Sequence, residues 1–143
     1  MKKRVLITGA NRGIGLGLTS RFLVEGYEVI ATMRNPDGAR EIWELESEFP
    51  GRLTSLELDV TDEGTIKKAA AAVEGKIDII INNAGVFPNK NSSFSDLKSE
   101  DLIKAFEVNT IGPVLVTQAF LPHLEKSDDP KVIHISSKVG SID

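Results

Sequence analysis

The chain has 143 residues, 41% of them apolar and 27% charged, enough for one domain with a real core and an ordinary soluble balance. A net charge of −4 gives no basic field for nucleic acid or an anionic membrane, and no apolar stretch approaches the length of a membrane span. The absence of cysteine excludes disulfides and thiolate metal sites and fits a cytoplasmic protein.

Met1-Lys2-Lys3-Arg4 before an apolar run imitates the start of a secretion signal, but Thr8-Gly9 cuts the run after Val5 to Ile7. Val5-Leu6-Ile7 reads instead as a strand, and an amphipathic helix follows from Ile14 to Glu25. Between them Gly9, Gly13 and Gly15 punctuate a turn that also holds Asn11 and Arg12. Residues without a Cβ let the backbone turn tightly, approach a pyrophosphate and pack helix on strand. The helix N-terminus, from Gly13 and Ile14 onward, offers amides and partial positive charge to an anion. An ordinary tight strand-to-helix turn is the plainer reading.

Gly26 stops that helix, and Tyr27 to Thr32 reads as the second strand. Asn35 is expected to cap a helix whose first residue is Pro36 and which ends at Pro50-Gly51. Ile42, Leu45 and Phe49 form its apolar face, with Trp43 as packing or partly exposed cover. Leu53 to Leu58 is a third strand near a sheet edge. Asp59-Val60-Thr61-Asp62 then leads into a helix through Glu74, with Ile66, Ala69, Ala70 and Val73 facing inward.

Ile77 to Ile81 is a fourth strand whose unbroken apolar run implies burial on both faces, and Asn82-Asn83-Ala84-Gly85 follows it. After a polar loop, Ser99 is expected to cap a long helix from Glu100 towards Lys126. Its stretch Ile111 to Leu121 is apolar nearly all round and must be buried or form an interface, and Pro113 should bend it. Lys131 to Ile135 is a fifth strand, followed by Ser136-Ser137-Lys138-Val139-Gly140. Strands alternating with helices imply an α/β fold with a parallel sheet covered on both faces.

Thr8-Gly9-x-x-x-Gly13-x-Gly15, Asn83-Ala84-Gly85, Asn109-Thr110-Ile111-Gly112-Pro113 and Ser137-x-x-Gly140 together resemble the short-chain dehydrogenase/reductase family. The likeness is greatest to its small carbonyl-reductase and C-factor-like members. The resemblance implies a Rossmann-like, doubly wound sheet of order 3-2-1-4-5, with ligands at the carboxyl ends of the strands around the first and fourth. It also implies one NAD(P)-binding domain over residues 1–143, incomplete relative to the family and truncated after the fifth strand.

The end of the second strand, Thr32-Met33-Arg34, has no carboxylate to accept from a ribose 2′-hydroxyl. Arg34 and Arg12 offer bidentate guanidinium groups to a 2′-phosphate, and similar family members with basic residues there prefer NADP(H). NADP(H) is therefore the preferred cofactor, with NAD(H) still open. Either arginine alone reads rather as a solvated surface charge, and it is the pair that points to a 2′-phosphate.

By resemblance, Asp59-Val60 contacts adenine, although Asp59 also suits a helix cap. Asn83-Ala84-Gly85 admits the nicotinamide ribose, and Asn109 marks a helix distortion that holds a water near the catalytic lysine. Ser137 is the serine expected to hydrogen-bond a substrate carbonyl. His123 and His134 read as structural, and no carboxylate group forms a metal site.

The family's acid/base motif, Tyr-x-x-x-Lys, is missing: the only tyrosine is Tyr27, followed by Glu28-Val29-Ile30-Ala31. The expectation is an NADP(H)-dependent carbonyl or alcohol oxidoreductase in full-length form, whose acid/base lies beyond Asp143. The chain of 143 residues then binds nucleotide without effective turnover. A non-catalytic nucleotide-binding module and a protein-interaction module, including a homo-oligomer through the 100–126 helix, are the alternatives.

Overall fold

The structure is a computed structural model that describes residues 2–85 and 94–135. β1 (Arg4–Thr8), β2 (Glu28–Met33), β3 (Leu53–Glu57), β4 (Ile79–Asn82) and β5 (Lys131–His134) form a parallel sheet in the order β3-β2-β1-β4-β5. The Rossmann-like order expected from the resemblance is the order observed. Alternation along the strands sends Leu6, Ile30 and Ile80 to one face. Val5, Ile7, Val29, Ala31 and Ile81 go to the other, under Leu23 of α1 (Gly13–Val24) and Ile42 of α2 (Arg40–Glu48). The first face is covered by Ile66 and Ala69 of α3 (Glu63–Ala72), Val116 of α5 (Gly112–Ala119) and Leu124 of α6 (Leu121–Leu124). Double coverage explains why the central strands read as unbroken apolar runs. Trp43 lies half exposed on α2, a cover rather than a core residue.

Helix α1 ends as Gly26 implies. Gly26 has φ +96°, its amide donates to Leu23 O, and the Tyr27 amide donates to Phe22 O. These two bonds, with Phe22 and Tyr27 packed edge to face at 4.8 Å, make a complete glycine-terminated cap. The guanidinium of Arg52 donates to the carbonyls of Leu23 and Tyr27 and closes the same corner.

Helix starts differ from expectation. Asn35 caps nothing: Pro36–Gly38 form a short 3-10 turn, Ala39 leaves the helical region at ψ 71°, and α2 begins at Arg40. Gly38 is a poor helix former and Pro36 favours only the first turn, so the helix restarts beyond them. Ser99 is the first helical residue of α4 (Ser99–Phe106) rather than its cap, because Lys98 holds the extended cap conformation.

The expected long helix is broken in two places. Glu107–Ile111 form a π turn closed by the Gly112 amide on Glu107 O, and Phe120 interrupts the path before α6. Pro113 and Pro122 stand just inside the restarted helices, where their missing N–H groups are tolerated. Pro113 has no amide to give residue 109 in α-helical spacing, so the distortion sits one turn upstream. Gly112, Pro113, Val116 and Phe120 are buried, whereas Ile111, Val114 and Leu121 are exposed. Strand β5 lies at the sheet edge with Val132, Ile133 and Ile135 exposed. No helix among the described residues is long and apolar enough to cross a membrane.

A buried carboxylate ties the amino end of the sheet. Asp78 accepts from the Arg4 amide at 2.8 Å, the Ser127 hydroxyl at 2.6 Å and the Lys76 ammonium at 3.0 Å. Burial pushes its pKa up, but those hydrogen bonds and the Lys76 charge outweigh it and hold the carboxyl below its ordinary value. A carboxyl depressed on folding stabilises the protein above its unfolded pKa and ceases to do so as pH falls through the folded one. Asp78→Asn should cost roughly 1–3 kcal/mol at pH 7, and the difference from the unaltered protein should shrink as pH falls below about 4. Urea unfolding at both pH values measures it, and a pH-independent difference would contradict the linkage.

Candidate functional site

The chain leaves β1 towards β2 and returns to pair β4 on the other side, so connections diverge at the carboxyl ends of β1 and β4. A cleft of about 520 Å³ opens there, within the range of a small-molecule or cofactor pocket. The loop after β1 supplies Gly9, Asn11, Arg12, Gly13 and Ile14, and the end of β2 supplies Met33, Arg34 and Asn35. Leu58, Asp59, Val60 and Thr61 follow β3, Asn83, Ala84 and Gly85 follow β4, and Lys104 and Val108 come from the helix opposite.

The floor is fixed by hydrogen bonds between strand ends. The buried Thr8 hydroxyl accepts from the amides of Asn83 and Ala84 at 3.0 and 3.1 Å. Asn83 Nδ2 donates back to the carbonyls of Thr8 and Gly9 at 3.2 and 3.1 Å. Sequence reasoning placed Asn83 at the site but missed Thr8 as its counterpart. The signal is a hydroxyl in the last position of a buried strand, where an unpartnered group would be costly.

The three glycines do different work. Gly9 has φ +62°, and a Cβ there would lie 3.1 Å from Ala84 Cα. Gly13 has φ +55° and open space around its missing Cβ. Gly15 is buried under the loop, and a Cβ would meet Gly9 O at 2.1 Å and Asn83 Nδ2 at 2.6 Å. Gly15 thus seats α1 on β1 without lining the cleft.

Electrostatically the cleft suits an anion. The first turn of α1 has no acidic residue and no side-chain cap, so its leading amides and the helix dipole face outward from Arg12. Arg34 joins from β2. The one carboxylate lining the cleft among the described residues, Asp59, does not cap α3: Asp62 does, its Oδ1 accepting from the Gly64 amide at 2.9 Å. Val60 is buried, so the chain turns only after it and the cap falls to the later aspartate. Asp59 Oδ1 accepts from the Thr61 amide at 2.9 Å and the Thr61 hydroxyl at 2.7 Å. Burial pushes the Asp59 carboxyl up, but the Thr61 bonds and the charges of Arg34 and Lys104 hold it below the ordinary range.

Asn109 lies in the π turn, outside the cleft lining, with its Oδ1 3.2 Å from where a Cβ on Gly85 would stand. The backbone of Gly112 lies against Val60, 2.8 Å from Val60 Cβ to its missing Cβ, which clamps this helix to the end of β3. Ser137 lies outside the described residues. Lys104, Met33, Asn35, Leu58, Thr61 and Val108 line the cleft without having been singled out from sequence. His123 is buried, its Nε2 2.8 Å from Val73 O, and Tyr27 sits at the opposite end of the sheet. Among the described residues no group of His, Asp or Glu side chains is placed to hold a metal.

A doubly wound sheet with a glycine-shaped, basic cleft at its switch point defines a Rossmann-like α/β domain. The chain belongs to the short-chain dehydrogenase family, whose family model matches residues 3–143. It is 36% identical over 145 residues to the short-chain dehydrogenase RED3 of Pyricularia oryzae, covering 97% of this chain and 58% of that protein. Among solved structures it superposes on the NADPH-bound carbonyl reductase from chicken fatty liver with TM-score 0.92 and 38% identity, covering 99% of this chain and 59% of that one. A carbonyl reductase from Pseudomonas aeruginosa PAO1 gives TM-score 0.88 at 30% identity, with 98% and 64% covered. The chain thus spans somewhat more than half the length of these relatives.

The geometry separates the glycines by experiment. Gly15→Ala should destabilise by roughly 3 kcal/mol or more, because backbone must move. Gly13→Ala should cost only about 1–2 kcal/mol of left-handed strain. Equal costs in denaturant unfolding would refute the packing role of Gly15.

Proposed function

We propose that residues 1–143 form an NADP(H)-binding domain of an oxidoreductase that exchanges hydride with a small carbonyl or alcohol substrate. The observation carrying this reading is the meeting of an acid-free helix N-terminus with Arg12 and Arg34 in one cleft, where the end of β2 contributes Met33, Arg34 and Asn35 and no carboxylate. The positive φ of Gly9 and Gly13 and the seating of Gly15 fit a pyrophosphate drawn close to backbone. The chicken reductase is described as NADPH-bound, which supports the same cofactor here.

In this reading the first amides of α1 hold the pyrophosphate, and Arg12 and Arg34 hold the ribose 2′-phosphate. Asp59 and Val60 take the adenine, while Ala84 and Gly85 leave room for the nicotinamide ribose. The bound nicotinamide supplies or accepts the hydride. Asn109 positions the wall beside Gly85, and Ser137 hydrogen-bonds the substrate oxygen. The sequence contains no Tyr-x-x-x-Lys, so we assign proton transfer to residues outside these 143 and expect binding without turnover from this chain alone. Exposed Leu102, Ile103, Phe106 and Val114 favour a second property, self-association along residues 100–126.

Calorimetric titration should show NADPH binding more tightly than NADH. Two charge-assisted contacts to the phosphate contribute about 2–4 kcal/mol together, less where solvent screens them. Arg34→Asp should narrow or reverse that gap, and Gly13→Val should abolish binding by filling the cleft. Equal affinity of the unaltered chain for both nucleotides would rule out the selectivity.

A further inference from the structure

Lys104 is a charged cleft residue for which neither the fold nor the cofactor reading so far has a use. It stands on α4 and lines the same cleft as the segment after β3, as does Val108 one turn later. The next turn brings Gly112 against Val60, whose neighbour is Asp59. Gly112 thus holds this helix against the segment after β3, and Lys104 faces the cleft because Ala105 and Val108 point to the core while Leu102, Ile103 and Phe106 point outward.

The surroundings match a heterocyclic base rather than a phosphate. Leu58, Val60 and Val108 are nearly fully buried and give this end of the cleft an apolar floor. Asp59, its orientation set by Thr61, is an acceptor whose Oδ2 takes no hydrogen bond from the described residues. A lysine ammonium is a donor only, and a carboxylate an acceptor only. Adenine presents the complementary pair on one edge, the N6 amino donor beside the N7 acceptor. The amide-rich helix terminus and Arg12 lie on the loop after β1, on another wall.

Resting on the nucleotide reading above, we propose that Lys104 is a base-binding residue, its ammonium donating to adenine N7 while Asp59 accepts from N6, so that the two side chains meet one edge of the base. Lys104 then contributes to affinity for NADP(H) and NAD(H) alike and leaves selectivity to Arg12 and Arg34. The facing charges also account for the Lys104 contribution to keeping Asp59 ionised in the free protein.

The test is calorimetric titration of the 143-residue chain and its Lys104→Met and Lys104→Arg variants with NADPH and with NADH. Lys104→Met should weaken both nucleotides by about tenfold, the size of one lost hydrogen bond to a charged group, with their affinity ratio unchanged. Lys104→Arg should recover most of the loss. The Asp59 carboxyl, followed by NMR in the nucleotide-free chain, should titrate at higher pH in Lys104→Met than in the unaltered protein. A loss confined to NADPH would move the Lys104 contact to the 2′-phosphate and overturn the proposal. Unchanged binding by Lys104→Met, or an unmoved Asp59 titration, would overturn it as well. Failure of the unaltered chain to bind either nucleotide would instead overturn the cofactor reading beneath it, and the Asp59 titration would still report whether the two charges face each other.

Discussion

The site depends on one tie, the reciprocal hydrogen bonds between Thr8 and Asn83. At the switch point the helices after β1 and β4 depart to opposite faces, and the last peptide groups of both strands run past the end of the ladder. Left dry and unpaired, each such group costs on the order of 1–3 kcal/mol. Here the Thr8 hydroxyl takes the two amides that follow β4, and the Asn83 amide nitrogen takes the two carbonyls at the end of β1. The strands are thereby held side by side beyond their regular pairing, and the cleft acquires a floor of fixed height. Gly9 can then turn at positive φ with Ala84 beside it, and Gly15 can lie directly beneath the Gly9 carbonyl. Cleft shape and sheet register are one constraint.

A second consequence is the division of charge between the two ends of the sheet. At the amino end Asp78 is buried among its own donors, a neutralised structural network. At the carboxyl end Arg12, Arg34 and Lys104 line a cleft with one carboxylate among the described residues, so positive charge is in excess there. Burial with satisfied partners serves stability, whereas an unbalanced, accessible charge favours a ligand of opposite sign. The same residue types do different work because the parallel sheet puts every strand's carboxyl end on one side.

Local patterns were legible where one interaction dominated. The unbroken apolar run of β4 was enough to imply burial on both faces, because burial of apolar area outweighs everything else in a central strand. The glycine spacing named the loop after β1, which supplies Gly9, Asn11, Arg12, Gly13 and Ile14 to the cleft, because Gly9 and Gly13 stand at positive φ there. Legibility failed where two nearby residues competed for one role. Asp59 and Asp62 both suit a cap, and burial of Val60 decided for Asp62. Asn35 and Ser99 look like caps by type, but Gly38 and the extended Lys98 shift the true starts. Thr8 and Lys104 acquire their roles from partners far along the chain, which no window around either residue contains.

The break in the helix after α4 shows how such distant constraints meet. A straight helix over residues 100–126 would carry Lys104, Asn109 and Gly112 at fixed phase. The π turn adds a residue to the turn before Gly112 and rotates the helix beyond it, so the residue without a side chain falls where the helix must touch Val60. Any larger residue at that contact would push the helix away from the end of β3, and Lys104 and Val108 with it, widening the cleft. Pro113 makes the distortion inexpensive, because an α-helical bond from its nitrogen was never available. A defect in helix geometry thus sets the width of the cleft, and the polar residue inside that defect, Asn109, stands beside Gly85.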